Sequence, residues 1–186
     1  MARTESTMIM PLGTTAPDFQ LPDVISGDVK SLKELKSDKA TVVMFICNHC
    51  PFVKHIRREL VKLTNDYIPR GISFVAINSN DVEKYPEDSP ENMKAMAEEF
   101  GFQFPYLFDE TQKVATAYYA ACTPDFYIFD KQLKCVYRGQ FDDSRPENGV
   151  SVTGRDIRDA LNSILSGKPV DSNQKPSIGC NIKWKE

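Results

Sequence analysis

The chain carries two kinds of hydrophobic pattern in alternation. Thr41 to Cys47 (TVVMFIC) is apolar and β-branched throughout, and Ile72 to Asn78 (ISFVAIN) has the same character. Short runs without a polar face predict strands buried on both sides, as at the centre of a sheet covered by helices. Between them, Phe52, Val53, Ile56, Leu60, Leu63 and Tyr67 recur at helical spacing from Pro51 to Ile68, with Lys54, Arg57, Arg58 and Lys62 on the other face. Ser89-Pro90 predicts a second helix start, Ser as cap and Pro in the first turn, running to Phe100 and stopping at Gly101. Further on, the pattern predicts a short strand at Pro105 to Phe108 and a helix over Thr111 to Ala121. Strands over Asp125 to Phe129 and Cys135 to Phe141 are joined by a tight turn at Asp130 to Leu133. A last helix spans Thr153 to Leu165 and is capped by Gly167. Ahead of all this, the Ser26-Gly27-Asp28 turn between short apolar stretches predicts a small hairpin within Ala16 to Leu32. Strands alternating with helices and then a hairpin define an α/β sandwich with a mixed sheet.

Three segments follow from this pass. Residues 1–11 read as a loose arm and residues 12–167 as the folded domain. Residues 168–186, with Pro169, Pro176 and Gly179, read as an irregular tail packed on or near it, with Trp184 a candidate anchor through its ring. The chain has 186 residues, 41% hydrophobic and 26% charged, which fits one soluble globular domain. The formal net charge is -3 with no long basic run, so neither nucleic acid nor a membrane surface is an expected partner. The longest apolar stretch is too short to span a bilayer. The opening MARTESTMIMPLG lacks the features of a signal peptide, so the expected location is cytoplasmic.

Candidate chemistry centres on Ile46 to Val53 (ICNHCPFV). Cys47 and Cys50 are separated by two residues at a strand–helix junction, with His49 in the gap and Pro51 just after. The first turn of a helix has unpartnered N–H groups and the positive end of the dipole, which stabilise a thiolate. Two intervening residues bring both sulfurs to one side of that turn, close enough to bond. Cys47 is expected at an exposed mouth as the attacking thiol and Cys50 one turn in as the resolving thiol, with His49 lowering the thiolate pKa further. The chain has five cysteines, Cys47, Cys50, Cys122, Cys135 and Cys180. An odd count does not fit a disulfide scaffold.

A strand, C-x-x-C and a helix, together with Gly13-Thr14-Thr15-Ala16-Pro17-Asp18-Phe19 ahead and Ala121-Cys122-Thr123-Pro124-Asp125 behind, resemble the thioredoxin superfamily in its redoxin and peroxiredoxin-like branch. The resemblance covers most of Leu12 to Gly167. It implies a thioredoxin-like three-layer α/β sandwich with a central mixed sheet, an N-terminal hairpin and a helical insertion. It implies thiol–disulfide chemistry on protein or small-molecule disulfides, with electrons from a thiol donor and no bound cofactor. It also implies a cis Pro124 packed against the sulfurs and a Thr123 backbone that pairs with a bound peptide. Asn48 and His49 stand where thioredoxin has Gly-Pro, so they are candidates for tuning the pair or contacting substrate.

Competing readings are a metal clamp, a pair of small core residues, a peroxiredoxin-like thiol peroxidase and a non-catalytic module that keeps the fold to bind a partner peptide. Structural zinc takes four ligands; His49 and His55 are the sole histidines and there is no second C-x-x-C. Efficient peroxide reduction in peroxiredoxins requires a Thr three residues before the reactive cysteine. Met44 holds that place before Cys47, so slow peroxide reduction is expected. Cys122, next to Thr123-Pro124, and Cys180, in the tail, are accessory-thiol candidates; Cys180 is expected either as a free surface thiol or as a third redox cysteine exchanging with Cys47. The acidic loop with Asp81, Glu83, Glu87, Asp88 and Glu91 is expected to be solvated.

Overall fold

A computed structural model describes residues 3–186. Ten strands and five α-helices follow in chain order: β1 (Arg3–Glu5), β2 (Gln20–Pro22), β3 (Val29–Ser31), α1 (Leu32–Leu35), β4 (Ala40–Phe45), α2 (Pro51–Tyr67), β5 (Ile72–Asn78), α3 (Pro90–Phe100), β6 (Tyr106–Phe108), α4 (Lys113–Ala117), β7 (Cys122–Thr123), β8 (Asp125–Asp130), β9 (Cys135–Gly139), α5 (Arg155–Leu165) and β10 (Ile178–Asn181). The main sheet has the order β6-β5-β4-β8-β9. β4 runs parallel to β5 and antiparallel to β8, which places Val42 between Phe74 and Ile128.

Every residue of β4 is buried because both faces of the sheet are covered. Side chains alternate across a strand. Val42 and Met44 pack with Ile56, Leu60, Ile157 and Leu161 on one side, whereas Val43 and Phe45 pack with Phe19, Leu32 and Tyr118 on the other. The result is the three-layer sandwich with a mixed sheet. The hairpin forms as expected, β2 against β3 with Gly27 at φ +78° in the turn. The helix at Ser89-Pro90 also forms as expected, with Ser89 accepting from Asn92 N–H and Gly101 closing it at φ +68°.

Four expectations need correction. The helix expected over Thr111 to Ala121 covers only Lys113–Ala117. Gln112 and Tyr119 both take positive φ, and the Asp109 carboxylate accepts from Val114 and Ala115 N–H, so the chain turns on both sides of a short helix. Residues 3–11 are not a loose arm: β1 pairs with β10, Arg3 opposite Cys180, and Met10 is buried. The tail is not wholly irregular, because β10 pairs with β7 on its other edge, Cys180 opposite Thr123. β1, β10 and β7 thus make a second small antiparallel sheet. Trp184 does not anchor the tail; its side chain is exposed, and Ile182 and Lys183 are buried in its place.

Gly179 permits this closeness. A Cβ there would lie 1.9 Å from the carbonyl oxygen of Thr123, so only glycine lets β10 approach β7. The loop after β5 grips the tail from the far side. Asp81 N–H donates to the Lys183 carbonyl and Lys183 N–H donates to Asn80 Oδ1. Ser79, Asn80, Asp81 and Asp88 are buried, so the expectation of a solvated acidic loop holds for Glu83, Glu87 and Glu91, which are exposed, and fails for Asp81 and Asp88.

Candidate active site

The two motif cysteines lie where the pattern places them, just past β4 and at the start of α2. Cys50 is the N-cap of α2 and Pro51 occupies its first turn. Asn48 is fixed between them: its N–H donates to Asp88 Oδ1 at 2.6 Å, its amide donates to the Glu87 carbonyl, and Tyr106 Oη–H donates to its side-chain oxygen at 2.9 Å. The Thr123-Pro124 peptide is cis. Thr123 reaches both sulfurs, its hydroxyl 3.2 Å from Cys47 Sγ and its carbonyl 3.3 Å from Cys50 Sγ. The hydroxyl missing at position 44 is therefore supplied to Cys47 from elsewhere in the chain.

A third sulfur completes the cluster. Cys180 Sγ lies 2.6 Å from Cys50 Sγ, and all five cysteines are unpaired and buried. Cys180 is not a free surface thiol, and its contact is with Cys50. The Thr123 backbone, expected to pair with a bound peptide, pairs here with the chain's own β10. Cys122 is buried beside the turn with its thiol directed to the Pro124 carbonyl, and burial pushes its pKa well up. Cys135 is buried in β9, and burial raises its thiol to about 11.

Exposure and acidity correct the expected pattern at the motif. Cys47 is 0% exposed. Burial, its contact with Cys50 and the nearby Asp88 carboxylate push its thiol well up, and the Thr123 hydroxyl only partly offsets this. Cys50 is the acidic member. Its thiolate is favoured by the Cys180 and Cys47 thiols and by backbone N–H groups of Val53 and Cys180, which outweigh its burial. Cys180 is correspondingly raised by its contact with Cys50 and by burial. The helix start adds to the Cys50 acidity through the Val53 N–H, behind the two thiol contacts, and it acts on the N-cap Cys50 rather than on Cys47 three residues earlier.

His49 is held by a partner the sequence pattern does not single out. Its Nδ1 pairs with Asp88 Oδ2, and its ring stacks on Tyr85 with the Lys183 ammonium on that same Tyr85 ring. The Asp88 contact raises the His49 pKa against the opposing effect of burial. Burial works to raise Asp88, but His49, Asn80 and the Asn48 N–H together hold it below the usual carboxylate range. The signal available in the sequence was position: Asp88 immediately precedes the Ser89-Pro90 helix start. Cys47, His49 and Asp88 offer three donor atoms within 4.8 Å of one another. Within this set His49 and Asp88 pair with each other.

A sheet with this order, a thiol pair at the start of α2 and a cis-proline turn against the sulfurs define a thioredoxin-like enzyme of the thiol–disulfide oxidoreductase class. The chain belongs to the AhpC/TSA family, whose model matches residues 12–138. It is similar to the thiol-disulfide oxidoreductase ResA of Geobacillus thermodenitrificans, 26% identical over 163 residues, 87% of this chain and 82% of that one. A solved structure described as an uncharacterized conserved protein from Geobacillus kaustophilus is 69% identical, with a TM-score of 0.97 over 100% of this chain and 97% of that one. The thioredoxin domain of a thiol-disulfide oxidoreductase from Bacteroides vulgatus shares the fold, with a TM-score of 0.62 at 18% identity over 80% of this chain and 96% of that one.

Proposed function

We propose that the protein is a dithiol reductase working through Cys47 and Cys50. Cys47 attacks a protein or small-molecule disulfide; one substrate sulfur leaves as thiolate and takes up a proton. Cys50 then attacks the Cys47 sulfur of the mixed disulfide, releasing the second substrate thiol and leaving a Cys47–Cys50 disulfide. A thiol donor returns two electrons and two protons. The observation that carries this reading is geometric: Cys50 at the start of α2 lies beside Cys47, and both sulfurs contact Thr123 of the cis Thr123-Pro124 turn. A cytoplasmic setting is part of the proposal and is supported by the odd cysteine count, which does not fit a disulfide scaffold. Among the described residues no helix is long and apolar enough to cross a membrane.

A second reading reverses the roles, favoured by the lowering of the Cys50 pKa through its contacts with Cys180 and Cys47: Cys50 attacks first and Cys47 resolves. One pair of variants separates the two. With insulin as substrate, Cys47→Ser is expected to abolish reduction, and Cys50→Ser to accumulate a mixed disulfide on Cys47. Accumulation on Cys50 in Cys47→Ser, with none in Cys50→Ser, reverses the assignment. Full activity in either variant removes the dithiol mechanism. Peroxide reduction is expected to be slow, because the Thr123 hydroxyl meets a neutral, buried Cys47 rather than a thiolate.

A further inference from the structure

We propose that Cys180 is a third catalytic thiol, the exchange partner of Cys50, so that the disulfide formed between Cys47 and Cys50 passes on to Cys50–Cys180. The proposal rests on the dithiol reading above and adds a step to it.

Placement is the first argument. Cys180 is 130 positions from Cys50, yet its sulfur is 2.6 Å from Cys50 Sγ, a short approach from the ~2.05 Å of a covalent S–S bond. The strand that carries it is fixed on both edges, by β1 and by β7. Ser177 N–H donates to Ser6 Oγ and Ser177 Oγ donates to the Pro124 carbonyl. Gly179 removes the side chain that would hold the strand off. Ile182 N–H donates to the Ala121 carbonyl, and Gln112 Nε2 donates to the Lys183 carbonyl. A buried cysteine used only as a compact hydrophobe needs none of this. Here, contacts on either side of position 180 set its sulfur against the reacting sulfur of the motif.

Chemistry is the second argument. Cys50 touches Cys180 and lies beside Cys47, and it can bond to one of them at a time. When Cys47–Cys50 is oxidised, the Cys180 thiol loses its proton and attacks Cys50 Sγ. The Cys50–Cys180 bond forms and the Cys47–Cys50 bond breaks. Cys47 leaves as thiolate and takes up the proton that Cys180 gave. No electrons enter or leave, so the exchange needs no further reactant. Cys47 is thereby returned to its thiol form while the oxidation is stored on the tail, and a thiol donor then supplies the two electrons that open Cys50–Cys180. Held in contact, the pair reacts at an effective concentration far above that of a free thiol.

The test is disulfide mapping. Wild-type protein is treated with one equivalent of diamide per chain, alkylated, digested and read by mass spectrometry, beside Cys47→Ala and Cys180→Ser. Wild type is expected to yield both Cys47–Cys50 and Cys50–Cys180 peptides. Cys47→Ala is expected to yield Cys50–Cys180 as its main product, and Cys180→Ser only Cys47–Cys50. Recovery of free Cys47 from the oxidised enzyme, driven by a monothiol, is expected to slow at least about tenfold in Cys180→Ser. Alkylated, unlinked Cys180 in both oxidised wild type and Cys47→Ala overturns the proposal, and the wild-type arm stands even if the variant fails to fold. Insulin reduction by wild type is measured on the same preparation. Activity without the Cys50–Cys180 link leaves the dithiol reading intact and removes the relay; the link without activity removes both the dithiol reading and the relay built on it.

Discussion

Replacing Gly179 with alanine tests whether the tail is what seals the site. The new Cβ would meet the Thr123 carbonyl oxygen at 1.9 Å, the Thr123 carbonyl carbon at 2.5 Å and the Pro124 nitrogen at 3.1 Å. All three are backbone atoms, and no side-chain rotation relieves them. β10 must back away until the closest contact passes 3.0 Å, a retreat of more than an ångström. Such a shift breaks the Cys180–Thr123 pairing and the Cys50–Cys180 contact. Overpacking of this kind costs about 1–3 kcal/mol, which shifts the ratio of docked to undocked tail by roughly 5- to 150-fold. Cys47 and Cys50 are 0% exposed and Cys180 is 2% exposed, so an external reagent reaches them through opening. The assay is the rate of native thiol reaction with 5,5′-dithiobis(2-nitrobenzoate), followed at 412 nm (a reagent wavelength), alongside a thermal melt. The expected result is faster labelling of these three cysteines by that factor, while Cys135, in β9 of the main sheet, stays protected. Labelling at the wild-type rate in a folded Gly179→Ala would show that the tail does not gate the sulfurs.

Three other outcomes follow from the charges. His49→Gln removes the imidazole paired with Asp88 and leaves that carboxylate, which already raises Cys47, without its partner, so a higher Cys47 pKa is expected from the pH dependence of iodoacetamide alkylation; an unchanged or lower pKa rejects the role of His49. Asp88→Asn removes the contact that raises His49 and leaves the burial that lowers it, so the imidazole should titrate below 6.5 by NMR, and a value at or above that of wild type rejects the pairing. Asp125 is fully buried and burial raises its carboxyl to about 8, despite hydrogen bonds from Tyr127 and its neighbour Phe126. Between pH ~4 and 8 the folded state therefore holds a proton that the unfolded state has lost, so this residue makes stability fall as pH rises across that window. Asp125→Asn should flatten that fall in urea melts, and an unaltered pH slope between wild type and variant counts against it.

The parts of the molecule legible in the sequence were those determined by local chemistry. β4 and β5 were readable because a strand covered on both faces has no polar positions. α3 was readable because Ser89, Pro90 and Gly101 state both of its ends. The Cys47–Cys50 junction was readable because strand, spacing and Pro51 agree. What could not be read was set by pairing over long distances. Arg3 opposite Cys180 and Cys180 opposite Thr123 are contacts between residues more than fifty positions apart, and neither β1 nor β10 is long enough to announce itself by alternation. Asp88 was hidden in a run of acidic residues that looks like solvated loop. It is buried because Asn48, His49 and Asn80 satisfy it, and none of the three is adjacent to it in the chain.

These long-range contacts also decide the acidity of the motif, which is why local reasoning placed the thiolate on the wrong sulfur of the closed state. The argument from helix N–H groups is sound, but it applies to Cys50, the N-cap. At Cys47 the first cause is burial, and the Thr123 whose hydroxyl touches its sulfur is paired to the tail. Desolvation disfavours a thiolate in proportion to how completely water is excluded. Undocking β10 would thus act on Cys47 twice, exposing its sulfur and lowering its pKa by hydrating the thiolate. It would act on Cys50 in the opposite sense, because the Cys180 thiol is the first cause of that residue's acidity. The closed arrangement, with Cys180 held against Cys50, therefore suits exchange within the protein, and attack on a substrate by Cys47 requires its buried sulfur to be uncovered.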